Sequence, residues 1–138
     1  MSARDTFHQT VKIALEKDRW LITHDPYPLQ AGSFNLAIDL GAETVIAAER
    51  EGRKIAVEIK SFLGPSKISQ FYSALGQFIT YRTALEKQEK ERNLYLAVST
   101  DIYEKFLLTP FIQKLISENK IYLIIFQIQE EEIERWLP

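Results

Sequence analysis

The sequence predicts an α/β protein: a mixed sheet with helices on both faces. Three observations carry that expectation. Residues Lys54 to Lys60 alternate strictly, with Ile55, Val57 and Ile59 on one side and Lys54, Ala56, Glu58 and Lys60 on the other, which is the period of a strand. The tetrapeptide Arg50-Glu51-Gly52-Arg53 in front of it is the clearest hairpin signal in the chain. A helix-length segment, about Lys67 to Gln88, then leads into the apolar run Leu94 to Ser99, so the chain crosses over to a parallel neighbour.

The elements follow in order. Ser2 with Asp5 three residues on resembles a capping box and opens a helix through about Lys17, with Phe7, Val11, Ala14 and Leu15 as its apolar stripe. Trp20 to Thr23 reads as a first strand. His24-Asp25-Pro26 and Gln30-Ala31-Gly32-Ser33 are rich in breakers and read as turns around a short extended piece. Thr44 to Glu49 and Lys54 to Lys60 form the hairpin. Gly64-Pro65-Ser66 caps the long helix, whose apolar stripe reads as Ile68, Phe71, Leu75, Phe78, Ile79 and Leu85, with Gln70, Ser73, Gln77 and Tyr81 opposite. Glu86 to Arg92 reads as a solvated exit turn. Asp101 to Leu107 and Pro110 to Glu118 read as helices, the second with Thr109 as N-cap and Pro110 at its first position. Ile121 to Ile128 reads as a last strand, and Glu130 to Leu137 as a short helix that groups Ile133, Trp136 and Leu137.

Composition narrows the class. A chain of 138 residues suffices for one domain, 1–138, and is too short for two ordinary ones. At 46% hydrophobic and 26% charged it has the balance of a soluble globular protein. Its longest apolar run, Ile121 to Phe126, is far short of a membrane span, and the N-terminus lacks the apolar core of a signal peptide. The absence of cysteine excludes disulfides and thiolate metal sites and fits the cytoplasm. A net charge of −2 argues against a strong global grip on nucleic acid, and leaves room for a local basic groove.

Against that background one constellation stands out. Asp39 precedes Glu58-Ile59-Lys60, and the alternation puts Glu58 and Lys60 on one face of their strand. Hydrolysing a phosphodiester near neutral pH takes a metal ion, carboxylates to hold it and a cation to activate the water or steady the developing charge. Asp39 and Glu58 can supply metal-ligating oxygens, the Ile59 carbonyl can add another, and Lys60 can serve as the cation. Taken alone, a Glu-x-Lys on a strand equally describes an exposed cross-strand pair. Gln77 and Tyr81, four apart and so on one helical face, are candidates to contact the lysine or the substrate phosphate, or are polar decoration of the helix. The phenylalanine, tyrosine and tryptophan residues fall mostly at core spacing and suggest no base-stacking platform.

Asp39 with Glu58-Ile59-Lys60 resembles the PD-(D/E)xK nuclease superfamily, although Ile38 stands where the motif has proline, and Gln77 to Tyr81 resembles the QxxxY motif of some of its branches. That resemblance implies a restriction endonuclease-like αβββαβ core. It also implies a Mg2+ or Mn2+ cofactor held by Asp39 and Glu58, with catalysis by Asp39, Glu58, Lys60 and Gln77 and substrate contacts from Tyr81 and His8. Relatives often bring an acidic residue from the first helix towards the metal, a place that His8 or Asp5 can take here, unless His8 is a boundary histidine held by a backbone carbonyl. Glu43 is a further candidate near Asp39, whereas His24 reads as a turn former and Glu49 as a bystander.

Across nearly the whole chain, Phe7-His8, Trp20-x-Ile22-Thr23-His24-Asp25-Pro26, Ile38-Asp39-Leu40-Gly41-Ala42-Glu43 and Ala56-Val57-Glu58-Ile59-Lys60-Ser61-Phe62 are similar to the XisH family of cyanobacterial proteins. The family is named for controlling excision of the fdxN element, a DNA segment removed by site-specific recombination. The resemblance implies DNA and a small XisI-like protein as partners, and analogy with the fold adds a homodimer. Two functions compete. One is a magnesium-dependent endonuclease; the other is a catalytically silent accessory protein that binds DNA or a partner during recombination. Loss of activity in Asp39→Ala would mark the first, and unchanged excision the second.

Overall fold

A computed structural model describes residues 6–36 and 45–138. Its centre is a six-stranded sheet in the order β1 (Leu21–His24), β4 (Val45–Arg50), β5 (Arg53–Ile59), β6 (Arg92–Ser99), β7 (Leu123–Gln127) and β8 (Glu132–Leu137). A separate pair, β2 (Gln30–Ala31) and β3 (Phe34–Asn35), folds around Gly32, inside the Gln30-Ala31-Gly32-Ser33 stretch expected as a turn. The first three sheet strands are antiparallel neighbours, β5-β6 and β6-β7 are parallel, and β8 returns antiparallel to β7. The expected mixed α/β sheet is therefore present. The β4-β5 turn forms at Glu51 and Gly52, with φ of 53° and 81°, the twist that a two-residue hairpin needs.

Helices cover both faces. On one lies α1 (His8–Lys17), packing Val11 and Leu15 against Ile46, Ile55, Val57, Ile59 and Phe126. On the other lies α2 (Lys67–Gln88), whose N-cap Ser66 accepts a hydrogen bond from the Ser69 N–H at 3.3 Å. Its bounds match the expected ones, but its buried face differs. The buried residues are Phe71, Ala74, Phe78, Tyr81, Ala84 and Leu85, so Tyr81 belongs to the stripe and does not lie opposite it. Ile68 and Ile79 are partly exposed. Ala74 on this face is fully buried in the same cluster as Ala47 and Ala56, which pair across β4 and β5. Large rings then fill the flanks at alternating spacings of three and four.

The short helix α3 (Thr100–Ile102) runs into a π-helical turn, Tyr103–Leu107, before α4 (Pro110–Glu118). The C-terminal segment corrects the expectation of a helix. Residues Glu132–Leu137 form the edge strand β8, and a bulge opposite Ile125 and Phe126 shifts its alternation. That bulge turns Ile133 and Trp136 to the α1 face at a helix-like spacing of three, while Leu137 joins the opposite cluster. The exit of α2 is a second correction. Arg92 is buried and donates to Glu89 through Nε at 2.8 Å and to the Ile55 carbonyl at 2.9 Å, with Tyr27 also donating to Glu89. Among the described residues no helix is long and apolar enough to cross a membrane.

Candidate functional site

Glu58 is the one carboxylate of the described residues that is fully buried. Strand alternation aims it at the α2 face, and its register partners Val45 on β4 and Leu96 on β6 are themselves buried and apolar. Neither Glu58 carboxylate oxygen has a hydrogen-bond partner among the described residues. The nearest cation is Lys60, whose Nζ lies 4.0 Å from Glu58 Oε2, at the outer edge of an ion pair. Burial pushes the Glu58 carboxyl up to about 8, and the Lys60 charge only partly offsets it. A carboxylate placed this way is costly unless something positive meets it.

Gln77 supplies a second unmet acceptor. It flanks the buried stripe of α2, and its Oε1 is buried without a partner among the described residues. Tyr81, one turn further on, is 1% exposed and part of the core beneath α2. Lys60 follows the end of β5, where its backbone N–H donates to the Ala97 carbonyl at 3.2 Å and its side chain stays partly open to solvent. Asp39, Asp5 and Glu43 lie outside the described residues, as does the Ser2–Asp5 capping box. The described chain ends on either side of Asp39 at Leu36 and Val45, and both are buried in the same cluster as the α2 stripe.

His8 is placed differently. Its Nε2 lies 2.8 Å from Asp25 Oδ1, and Lys12 Nζ donates to the other Asp25 oxygen at 2.7 Å. Burial pushes the Asp25 carboxyl up, but the hydrogen bonds from Lys12 and His8 outweigh it and hold the group below its ordinary range. The partner of His8 is thus a carboxylate, where a backbone carbonyl was one expectation. His8 sits on the α1 side of the sheet, whereas Glu58 points to the α2 side. Sequence reasoning missed this cluster, although His8 and Lys12 at a spacing of four on one helix face were a signal.

The donor chemistry suits a hard divalent cation. Two orphaned carboxylate oxygens and one orphaned amide oxygen are all-oxygen ligands, the set that Mg2+ and Mn2+ take. Among the described residues no group of three metal-ligating side chains converges.

Comparison with known proteins places these features in a family. The family model described as XisH protein matches residues 1–134. A crystal structure of an XisH family protein from Nostoc punctiforme PCC 73102 is similar at 50% identity and a TM-score of 0.90, covering 97% of this chain and 100% of that one. A fdxN element excision controlling factor protein from Anabaena variabilis is similar at 47% identity and a TM-score of 0.88, covering 96% of this chain and 98% of that one. No curated protein matches the chain.

Proposed function

Because the chain belongs to the XisH family, we propose that it is a factor in site-specific excision of a DNA element, with a metal-dependent phosphodiester-hydrolysing site at Asp39, Glu58 and Lys60. The observation that carries this reading is the fully buried Glu58 carboxylate, with no hydrogen bond among the described residues and Lys60 beside it. Such a group is stabilised by a divalent ion, and the orphan oxygen of Gln77 on α2 is of the same ligand type. The order α1-β1-β4-β5-α2-β6 in turn supports a restriction endonuclease-like αβββαβ core, with the small β2-β3 pair as an insertion.

In this reading Asp39 and Glu58 hold Mg2+ or Mn2+. The ion supplies Lewis-acid polarisation of the phosphate and a lowered pKa for the attacking water. Lys60 has three ammonium donors on a half-exposed stem, suited to orienting that water or steadying charge on the phosphate oxygens. Gln77 holds Lys60 or the phosphate in place, and Tyr81 backs it from the core side of α2. A small XisI-like protein and a second copy of the chain complete the assembly, since cutting both strands of a duplex takes two centres.

Calorimetric titration with Mn2+ tests the site, and nicking of supercoiled plasmid with Mg2+ or Mn2+ tests the chemistry. Wild type should bind the ion and cut, while Asp39→Ala, Glu58→Gln and Lys60→Met should not cut and should keep their fold. The idea fails if wild type, alone and with its partner, leaves every DNA form intact. The net charge of −2 favours a second reading, a silent module that binds DNA or a protein. Under it, excision would proceed unchanged in Asp39→Ala.

A further inference from the structure

A cleft of about 290 Å³ opens where β5 ends and α2 begins, lined by Lys60, Ser61, Phe62, Ser69, Gln70 and Ser73. Its chemistry differs from that of the other polar clefts. Those beside Arg82 and Lys90, beside Arg50 and Arg53, and beside Thr100 each contain at least one carboxylate of their own: Glu86, Asp18, and Asp101 with Glu104 and Glu130. Among the described residues the Lys60 cleft is lined by hydroxyls, an amide and one ammonium, and by no acid. It has room for a phosphodiester group rather than a single water.

Two of its donors are uncommitted. The Gln70 Oε1 accepts from the Gly64 N–H at 3.2 Å, which fixes the amide and leaves its Nε2 with no hydrogen bond among the described residues. Gly64 makes this placement possible, because a Cβ there would lie 2.4 Å from Gln70 Nε2. Ser73, one turn along α2 from Ser69, carries a hydroxyl with no hydrogen bond among the described residues. Lys60 connects the cleft to the candidate centre, lining the one while its Nζ lies 4.0 Å from Glu58 Oε2 in the other.

We infer that this cleft is a subsite for a DNA backbone phosphate adjacent to the one at Glu58, held by Gln70 and Ser73 together with Lys60. The inference rests on the reading above for the identity of the strand. Proteins place much of their backbone contact on serine, glutamine and backbone N–H donors as well as on cations. That mode suits a chain of net charge −2, which has little general attraction for a polyanion to offer. The subsite fixes the position of the strand relative to Glu58 without needing a broad basic surface.

The test is fluorescence anisotropy of a short fluorescein-labelled oligonucleotide, single-stranded and duplex, with Mg2+ and the full chain carrying Glu58→Gln to prevent turnover. Adding Ser73→Ala should weaken binding about 10- to 100-fold, as loss of a donor to a charged group does, and Gln70→Glu, which keeps an acceptor for Gly64 N–H but turns a carboxylate to the phosphate, should weaken it at least as much. Gly64→Ala should do the same by displacing the amide. Thr80→Ala, whose hydroxyl is bonded to the Gly76 carbonyl, should bind as the parent does. Lys60→Met should also reduce the slope of log affinity against log salt by about 1, whereas Ser73→Ala, which removes a neutral donor, should leave it unchanged. Thermal melting of each variant separates lost binding from lost fold. Parent-like affinity in Gln70→Glu and Ser73→Ala, or no DNA binding by the parent, overturns the subsite. If the wild-type background cuts plasmid and these variants cut it equally well, the subsite is wrong and the nuclease reading stands. If they lose DNA binding in a protein that never cuts, the subsite stands and hydrolysis is wrong.

Discussion

Replacing Glu58 by glutamine keeps the shape of the side chain and removes its charge, so the two proteins should differ most where Glu58 ionises. Burial lifts this carboxyl from 4.5 to about 8, a displacement worth about 5 kcal/mol between the charged and neutral forms. Between those two values the native state holds the proton and the unfolded chain does not. Without a metal, wild type should therefore lose stability as pH climbs through that window, by up to about 1.4 kcal/mol per pH unit. Below it both states are protonated and the group contributes nothing; above it the native state carries the full penalty. Glu58→Gln is neutral throughout, so its advantage over wild type should grow with pH and flatten beyond about 8. Urea unfolding in EDTA across this range reads the difference directly, and the tilted Trp20 and Trp136 ring pair, with centroids 5.5 Å apart, provides a fluorescence signal. Other titrating groups cancel in the comparison. A wild-type-minus-variant difference that stays flat across the window would refute the buried, unpaired Glu58. Adding Mn2+ should then close the gap from the wild-type side alone if Glu58 is a metal ligand.

The remaining predictions concern the frame that holds the site. Hydrogen bonds from Arg92 and Tyr27 hold the Glu89 carboxyl down to about 2; its stabilising effect is present above the ordinary carboxylate range and lost as pH falls through that value. Glu89→Gln should cost about 2–4 kcal/mol at pH 7 in urea unfolding, with the cost shrinking in acid, because it strands the buried Arg92. Phe78→Ala, at a position 1% exposed beneath α2, should cost about 3–5 kcal/mol by the same assay and lower the melting temperature. Gly52→Ala should cost about 1 kcal/mol, since φ of 81° suits glycine, and differential scanning calorimetry would register it.

Local signals were legible where one short-range rule acted alone. The hairpin at Glu51 and Gly52, the alternation of β5 and both bounds of α2 follow from turn chemistry, a period of two and a serine N-cap. Misreadings arose where two rules overlap. On β8 a bulge gives Ile133 and Trp136 the spacing of a helix, so periodicity alone could not separate strand from helix. On α2 a stripe drawn through Ile68, Leu75 and Ile79 set Tyr81 opposite, but the buried face runs through Phe71, Ala74, Phe78 and Tyr81, because the large ring area of Tyr81 counts for more in burial than its one hydroxyl. Arg92 and Glu89 looked like a solvated turn because a charged sequence does not reveal that its partners come from β4, β5 and the segment after β1.

By itself the sequence determined the α/β class, the central hairpin, the crossover helix and the pairing of Glu58 with Lys60 on one strand face. Each of these depends on contacts within a few residues, which the chain states directly. Only the tertiary structure decided that Glu58 is fully buried between Val45 and Leu96 with its oxygens unmet, that Tyr81 is core, that His8 belongs to Asp25, and that Gln70 and Ser73 meet Lys60 across a cleft. Those facts depend on which strands lie side by side and how a helix rolls on them. Desolvation, the force behind the unusual state of Glu58, is set by neighbours distant in the chain, so a Glu-x-Lys reads as surface charge until the sheet closes around it.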